Sequence, residues 1–181
     1  MRARRVMLGI VGVIAAGGLA VIVADFLQLG RQAPASAPAD KRANLIVVEK
    51  AARRMTLMRD GQVLRTYEVA LGGVPTGHKQ QEGDGRTPEG AYAIDFKNAR
   101  TRFHLALRIS YPNATDRASA QRRGVAPGGD IMIHGLPNGL GWLAGLHLWR
   151  DWTDGCVAVT DAQIDEIWPL VDVGTAVEIK P

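Results

Sequence analysis

Nineteen consecutive residues, 6–24, carry no charged or strongly polar side chain, and they directly follow a basic cluster of Arg2, Arg4 and Arg5. Phe26, Leu27 and Leu29 continue the apolar character past one acid, Asp25. About 20 such residues in a helix cross a hydrocarbon core of about 30 Å. A secretory signal has a shorter apolar region, about 7–15 residues, and a small-residue cleavage site. The best such triplet, Ala35-Ser36-Ala37, is followed by Pro38, a poor residue after a cleavage point. Residues 6–29 are therefore expected to form a transmembrane anchor, with a cleaved signal as the alternative and a buried core helix as the bland reading. In the first two cases residues 1–5 stay on the cytoplasmic side and the rest of the chain is exported. Residues 30–42, with Pro34 and Pro38 among alanines, read as a linker.

What remains, residues 43–181, is long enough for one domain. The chain has 21 glycines and nine prolines, too many for a helical bundle, and suits a loop-rich, mostly β domain. The net charge of +4 suggests nucleic acid until the charges are located. Six basic and two acidic groups lie in residues 1–42, which leaves sixteen of each in the body. The body is neutral, and no nucleic-acid partner is expected.

Short strand-like runs occupy residues 45–48 and 55–58. Asp60-Gly61 then predicts a hairpin into residues 62–71, where Val63, Val69 and Leu71 share one parity. Residues 75–88 form a polar, glycine-rich loop of the kind that is functional or disordered. Strand character returns at 90–94 and 105–110. Residues 111–130 read as loop with a helical turn starting near Thr115. Residues 131–133 are a brief apolar strand ending at His134-Gly135, followed by a glycine-rich stretch carrying Trp142, Trp149 and Trp152. Residues 156–159 form another short strand. Thr160-x-x-Gln163 is a capping box opening a helix to about Leu170, with Ile164, Ile167, Trp168 and Val171 as its inward stripe. Residues 175–179 form the last strand.

Cys156 is the one cysteine, so the chain has no internal disulfide and no cysteine-built zinc site. An unpaired thiol outside the cytoplasm risks oxidation. It is either a small buried hydrophobe or a nucleophile. A thiol attacks well only when a base takes its proton, and a histidine within hydrogen-bond reach is the common solution. His134 closes one strand and Cys156 opens another, each beside a glycine, Gly135 and Gly155. Backbone N–H groups at such a turn can stabilise an oxyanion. No His-x-x-x-His or other metal-ligand spacing occurs, and neither metal nor cofactor is expected.

These residues resemble the L,D-transpeptidase catalytic domain family of YkuD type. Its signature is a His-Gly after a short apolar strand, a glycine-containing loop, then Ser/Thr-His-Gly-Cys. The matching residues are Ile133-His134-Gly135, Gly139-Leu140-Gly141 and Thr153-Asp154-Gly155-Cys156. Asp60-Gly61, the segment from Gly83 to Gly90 containing Thr87-Pro88, and Val173-Gly174-Thr175-Ala176-Val177 extend the likeness from about Ala43 to Ile179. Two positions depart from it: Asp154 stands where the family has His, and Ala158 where it commonly has Arg. The interval of 22 positions from His134 to Cys156 is also longer than usual. Those departures resemble a divergent branch with a hydrolytic member that releases lipoprotein from peptidoglycan.

The resemblance implies an L,D-transpeptidase-like β-sandwich with one helix after the catalytic cysteine. It implies a cysteine acyl-transferase acting on peptidoglycan stem peptides, with Cys156 as nucleophile, His134 as base and the Gly135 carbonyl orienting the imidazole. Gly155 and Cys156 are the expected oxyanion donors. Asp154, Thr153, Arg150, His147 and His78 are expected substrate contacts. Together with the anchor, this implies a single-pass protein of a bacterial inner (cytoplasmic) membrane with its catalytic domain in the periplasm. Hydrolysis in place of transfer, and a non-catalytic cell-wall binding module, are the alternatives.

The anchor yields a direct expectation. Full-length protein sediments with membranes and resists extraction by 1 M salt, where the Debye length is only about 3 Å, because apolar insertion rather than Arg–lipid attraction holds it. A chain beginning at Ala43 stays soluble. A mature N-terminus between Asp25 and Ala43, found by mass spectrometry on freely soluble periplasmic protein, overturns the anchor in favour of a cleaved signal.

Overall fold

The computed structural model describes residues 32–181. The expected anchor over residues 6–29 lies outside the described residues. Among those described, no helix is long and apolar enough to cross a membrane.

β1 (Leu45–Glu49), β2 (Arg54–Arg59) and β3 (Gln62–Glu68) form an antiparallel meander. Its second turn is the predicted Asp60-Gly61 loop, with φ of 49° and 79°. Both central residues are thus in the left-handed region that a type I′ hairpin requires. β4 (Gly90–Asn98), β5 (Ala106–Ile109), β6 (Met132–His134), β7 (Val157–Ala158) and β8 (Ala176–Lys180) complete one eight-stranded sheet in the order β3-β2-β1-β8-β4-β5-β6-β7. β4 is its corner. Residues 90–93 pair with β8, and the remainder, after a register shift between Ile94 and Phe96, pairs with β5. The sheet curls until its ends meet: Ala70, just past β3, exchanges both backbone hydrogen bonds with Ala158 of β7, at 3.0 and 2.8 Å. The expected sandwich is therefore one continuous curled sheet. Strands this short and twisted bury a core by curling as well as by stacking two layers.

The core fills one face of that curl. Ile46, Val48, Met55, Leu57, Leu105, Leu107, Ile109, Ile133, Val157, Val177 and Ile179 alternate along their strands in the period-two pattern of half-buried strands. α2 (Asp161–Leu170) covers them with the expected Ile164, Ile167 and Trp168. Its predicted capping box is present, with Gln163 N–H donating to Thr160 Oγ1 and Thr160 N–H to Gln163 Oε1. Val63 does not follow the parity of Val69 and Leu71. A bulge at Leu64, between the pairs Leu57–Arg65 and Met58–Val63, shifts the register, pairs Val63 with Met58 on the outer face and leaves it 61% exposed.

The single-helix expectation is also corrected. Residues 114–123 form a full helix, α1 (Ala114–Arg123), and short 3₁₀ segments occur at Ala39–Lys41 and Gly141–Trp149. Asn113 and Asp116 cap α1 reciprocally, and Gly124 ends it at a φ of 67°. The helix buries only Asp116 and Ala120, so it has no apolar stripe for periodicity to reveal.

The polar loop over residues 75–88 is neither disordered nor free. Lys50, 2% exposed, reaches across from the end of β1 and donates to the carbonyls of Gly77 (2.6 Å) and Thr87 (2.9 Å) while pairing with Glu89 at 2.8 Å. Asp84 ties the middle of the loop by accepting from Lys79, Gln80, Gln81 and Arg86. Burial opposes ionisation of that carboxyl, but the Lys79 bond and the three amides outweigh it and hold its pKa down at about 2.

Removing one partner of a buried, hydrogen-bonded ion pair costs about 3–5 kcal/mol. Lys50→Ala is therefore expected to lower the unfolding free energy by about that much in urea titrations. The loop should loosen before the sheet does, seen as early loss of amide-exchange protection over residues 77–89. A loss below about 1 kcal/mol, within the range of a surface pair, shows that the loop holds without Lys50.

Candidate active site

β6 and β7 run parallel, with Ile133 beside Val157 and His134 beside Ala158. Ile133 and Val157 point into the core, so Met132, His134, Cys156 and Ala158 share the opposite face. Cys156 and His134 are thus diagonal neighbours on adjacent strands. β5 and β4 extend the same face, since Met132 pairs with Arg108 and Arg108 with Phe96. This face forms a cleft of about 540 Å³ whose lining includes His134, Cys156, Arg102, Trp152, Thr153 and Asp154.

His134 is 1% exposed and held on three sides. Its Nδ1–H donates to the Gly135 carbonyl at 2.6 Å, which leaves Nε2 as the unprotonated nitrogen. Phe103 stacks on the ring at 3.9 Å between centroids, and Trp152 meets it edge-on at 6.0 Å. Burial pushes its pKa down to about 4, against the Gly135 carbonyl, which favours the charged form. Gly135 has no room for a side chain. A Cβ there would lie 2.6 Å from an Asp161 carboxylate oxygen and 2.9 Å from His104 Cβ. That crowding comes from the first turn of α2, where Asp161 also accepts the Leu136 N–H at 2.7 Å.

Cys156 is half-buried, and its thiol donates to the Asp130 carbonyl at a sulfur–oxygen distance of 3.6 Å. Burial raises its pKa to about 11, although the Met132 N–H directed at the sulfur pulls the other way. At neutral pH the pair is therefore thiol and imidazole rather than thiolate and imidazolium. Gly155 places the cysteine. Its φ is +128°, and a Cβ would lie 2.5 Å from the Arg86 carbonyl oxygen.

The other expected site residues divide between the cleft and its surroundings. Thr153 lines the cleft, but its hydroxyl donates to the Cys156 carbonyl at 2.8 Å and accepts the Gly155 N–H at 3.1 Å. The Gly155 amide expected at an oxyanion is thus already given to Thr153. Asp154 is exposed on the cleft wall. His78 lies outside the cleft: its Nδ1 accepts the Glu89 N–H at 3.0 Å and its Nε2 faces the buried Asp116 at 3.2 Å. That strap joins the 75–88 loop to α1. His147 and Arg150 line a separate apolar groove of about 240 Å³, behind Trp152.

Sequence reasoning did not single out Phe103, Arg102 or Arg108, which line the cleft from β5 and the turn before it. No motif marks them. Phe103 adjoins His104, so only the strand alternation around residues 103–109 could have pointed to them. Among the described residues, no group of three His, Cys, Asp or Glu side chains could hold a metal ion.

Comparison with known proteins finds relatives of the same fold. YafK of Escherichia coli (strain K12), named there only as a candidate L,D-transpeptidase, is 31% identical over 112 residues. The match takes in 61% of this chain and 38% of YafK, so the chain spans well under half the length of that relative. The helical cell shape determining protein Pgp2 of Campylobacter jejuni superposes with a TM-score of 0.55 at 24% identity, over 88% of this chain and 56% of Pgp2. An L,D-transpeptidase of Mycobacterium smegmatis gives a TM-score of 0.51 at 17% identity, over 76% of this chain and 58% of the other. Both likenesses are of fold. Residues 43–179 match the family profile of the YkuD L,D-transpeptidase catalytic domain. The chain belongs to the YkuD L,D-transpeptidase catalytic domain family.

Proposed function

We propose that this protein is a cysteine acyl-transferase that remodels peptidoglycan stem peptides through a thioester on Cys156. The observation that carries this reading is the Nδ1–H bond from His134 to the Gly135 carbonyl. It fixes the tautomer in which Nε2 can accept a proton on the cleft face that also bears the thiol.

Nε2 takes the thiol proton as sulfur attacks the amide carbonyl of the acyl donor, forming a C–S bond and an oxyanion. The Cys156 N–H is assigned to that oxyanion, since the Gly155 N–H is bonded to Thr153. The tetrahedral intermediate collapses by breaking the C–N bond, and imidazolium returns the proton to the departing amine. An acceptor amine then attacks the thioester, His134 takes its proton, and the released thiolate recovers it. Water in place of the amine gives hydrolysis. The donor amide is that between the L-centre of a diaminopimelate residue and a terminal D-amino acid. Such a donor carries carboxylates and an ammonium, and the cleft offers groups of both signs, Arg102 against Asp130 and Asp154. The protein is further proposed to act outside the inner membrane, tethered by residues 6–29.

Incubation of purified protein with tetrapeptide muropeptides should release the terminal D-amino acid and give cross-linked dimer or tripeptide by mass spectrometry. Intact mass should show a covalent carbapenem adduct on Cys156. Binding to sacculi without adduct or product instead supports a non-catalytic module.

Cys156→Ser is expected to abolish turnover with the fold intact, and His134→Ala to cost about 10²–10⁴-fold, the range of a general base. More than a few per cent of activity in Cys156→Ser removes the nucleophile assignment.

The depressed pKa of His134 sets the acid limb. The neutral imidazole is the working form, so kcat/KM stays level as pH falls from 7 to about 5 and drops with a midpoint near 4. A midpoint near 6.5, the value of an unperturbed histidine, shows a solvated base in its place.

A further inference from the structure

The two arginines in the cleft are not equivalent. Arg108 is spent: its Nε donates to Asp95 at 2.8 Å and its guanidinium lies 5.6 Å from the Phe96 ring centroid. Arg102 is exposed and forms no ion pair among the described residues. Its guanidinium lies 5.2 Å from the centroid of Phe103, and Phe103 in turn stacks on His134. Arginine, phenyl and imidazole thus form a ladder from the cleft rim to the base. The charge of Arg102 is felt by both reacting groups, disfavouring imidazolium on His134 and favouring thiolate on Cys156. A free guanidinium stacked beside a nucleophile presents a planar fork of N–H donors suited to a carboxylate.

We propose that Arg102 binds the α-carboxylate of the departing D-amino acid, so that the site selects acyl donors with a free C-terminus over internal amides. This rests on the function proposed above and adds the residue that recognises the leaving group. In a C-terminal amino acid the carboxylate sits one carbon from the departing nitrogen. Anchoring it on Arg102 brings the scissile carbonyl toward Cys156. It also cancels the positive charge that opposes protonation of His134, so the base gains strength when the right donor is bound.

The test uses full-length protein in detergent and two alkylating reagents of similar shape, anionic iodoacetate and neutral iodoacetamide. The ratio of their rates on Cys156 reports an anion site beside the thiol whether or not any peptide is a substrate. Arg102→Gln is expected to lower the iodoacetate-to-iodoacetamide ratio about tenfold, Arg102→Lys to restore part of it, and Arg108→Gln to leave it within about twofold. A charged hydrogen bond is worth about 1.5–3 kcal/mol. The wild-type preference in kcat/KM for a tetrapeptide acid over its C-terminal amide is accordingly expected at about 10–100-fold, collapsing in Arg102→Gln. An unchanged reagent ratio in Arg102→Gln, or the same loss in Arg108→Gln, overturns the assignment. If the ratio falls but wild type processes no tetrapeptide, the anion site stands and the proposed reaction fails. If wild type processes acid and amide donors alike, carboxylate selection fails and the reaction stands.

Discussion

The buried ammonium of Lys50 is the contact on which the geometry of the cleft rests. A charge nearly out of water is tolerated only when its donors are satisfied, and here two carbonyls and Glu89 satisfy them from the far loop. The loop is thereby pinned as a backbone floor at Gly85 and Arg86. Two glycines press against that floor. A Cβ on Gly72 would lie 2.2 Å from the Gly85 carbonyl oxygen, and one on Gly155 would lie 2.5 Å from that of Arg86. Residue 72 bridges Thr153, and Thr153 holds the turn that ends at Cys156. Cys156 is located by backbone stacked on backbone, through a chain of contacts that begins at one lysine.

The electrostatics follow from the same burial. A solvated cysteine and histidine near pH 7 are partly ionised, but here burial favours the neutral form of each. Both shifts oppose proton transfer before substrate arrives. In the proposed reaction this couples proton transfer to attack, and it protects the resting thiol from the oxidation that an exposed thiolate invites. The Met132 amide, Arg102 and Lys79 act in the opposite sense on the sulfur, which limits how far burial raises it.

Much of this was legible in the chain where a local rule decides the outcome. Asp60-Gly61 dictates a hairpin, Thr160 and Gln163 a helix start, and glycines beside His134 and Cys156 mark places where no side chain fits. The reading failed where distant contacts decide. Val63 faces outward because its own strand bulges at Leu64, between the pairs Leu57–Arg65 and Met58–Val63, which simple alternation does not encode. α1 is held by its caps and by Asp116 rather than by an apolar stripe. His78 looked like cleft chemistry in a polar loop, but the fold uses both its nitrogens as a strap. The curl was invisible because its closure is made of isolated bridges, Ala70 with Ala158 and Gly72 with Thr153, rather than of a paired strand.

That closing pair also contains a departure from the family pattern. Position 158, where an arginine is common in the resembling family, is a fully buried alanine whose backbone is bonded to Ala70 on the opposite end of the sheet. By strand alternation its side chain lies on the face of His134 and Cys156, so the longer side chain common there would enter the cleft beside them. Arg150, the nearest arginine in sequence, is turned into the groove behind Trp152. The arginines that line the cleft come instead from β5 and the turn before it, Arg108 and Arg102, the latter over the Phe103 ring that stacks on His134.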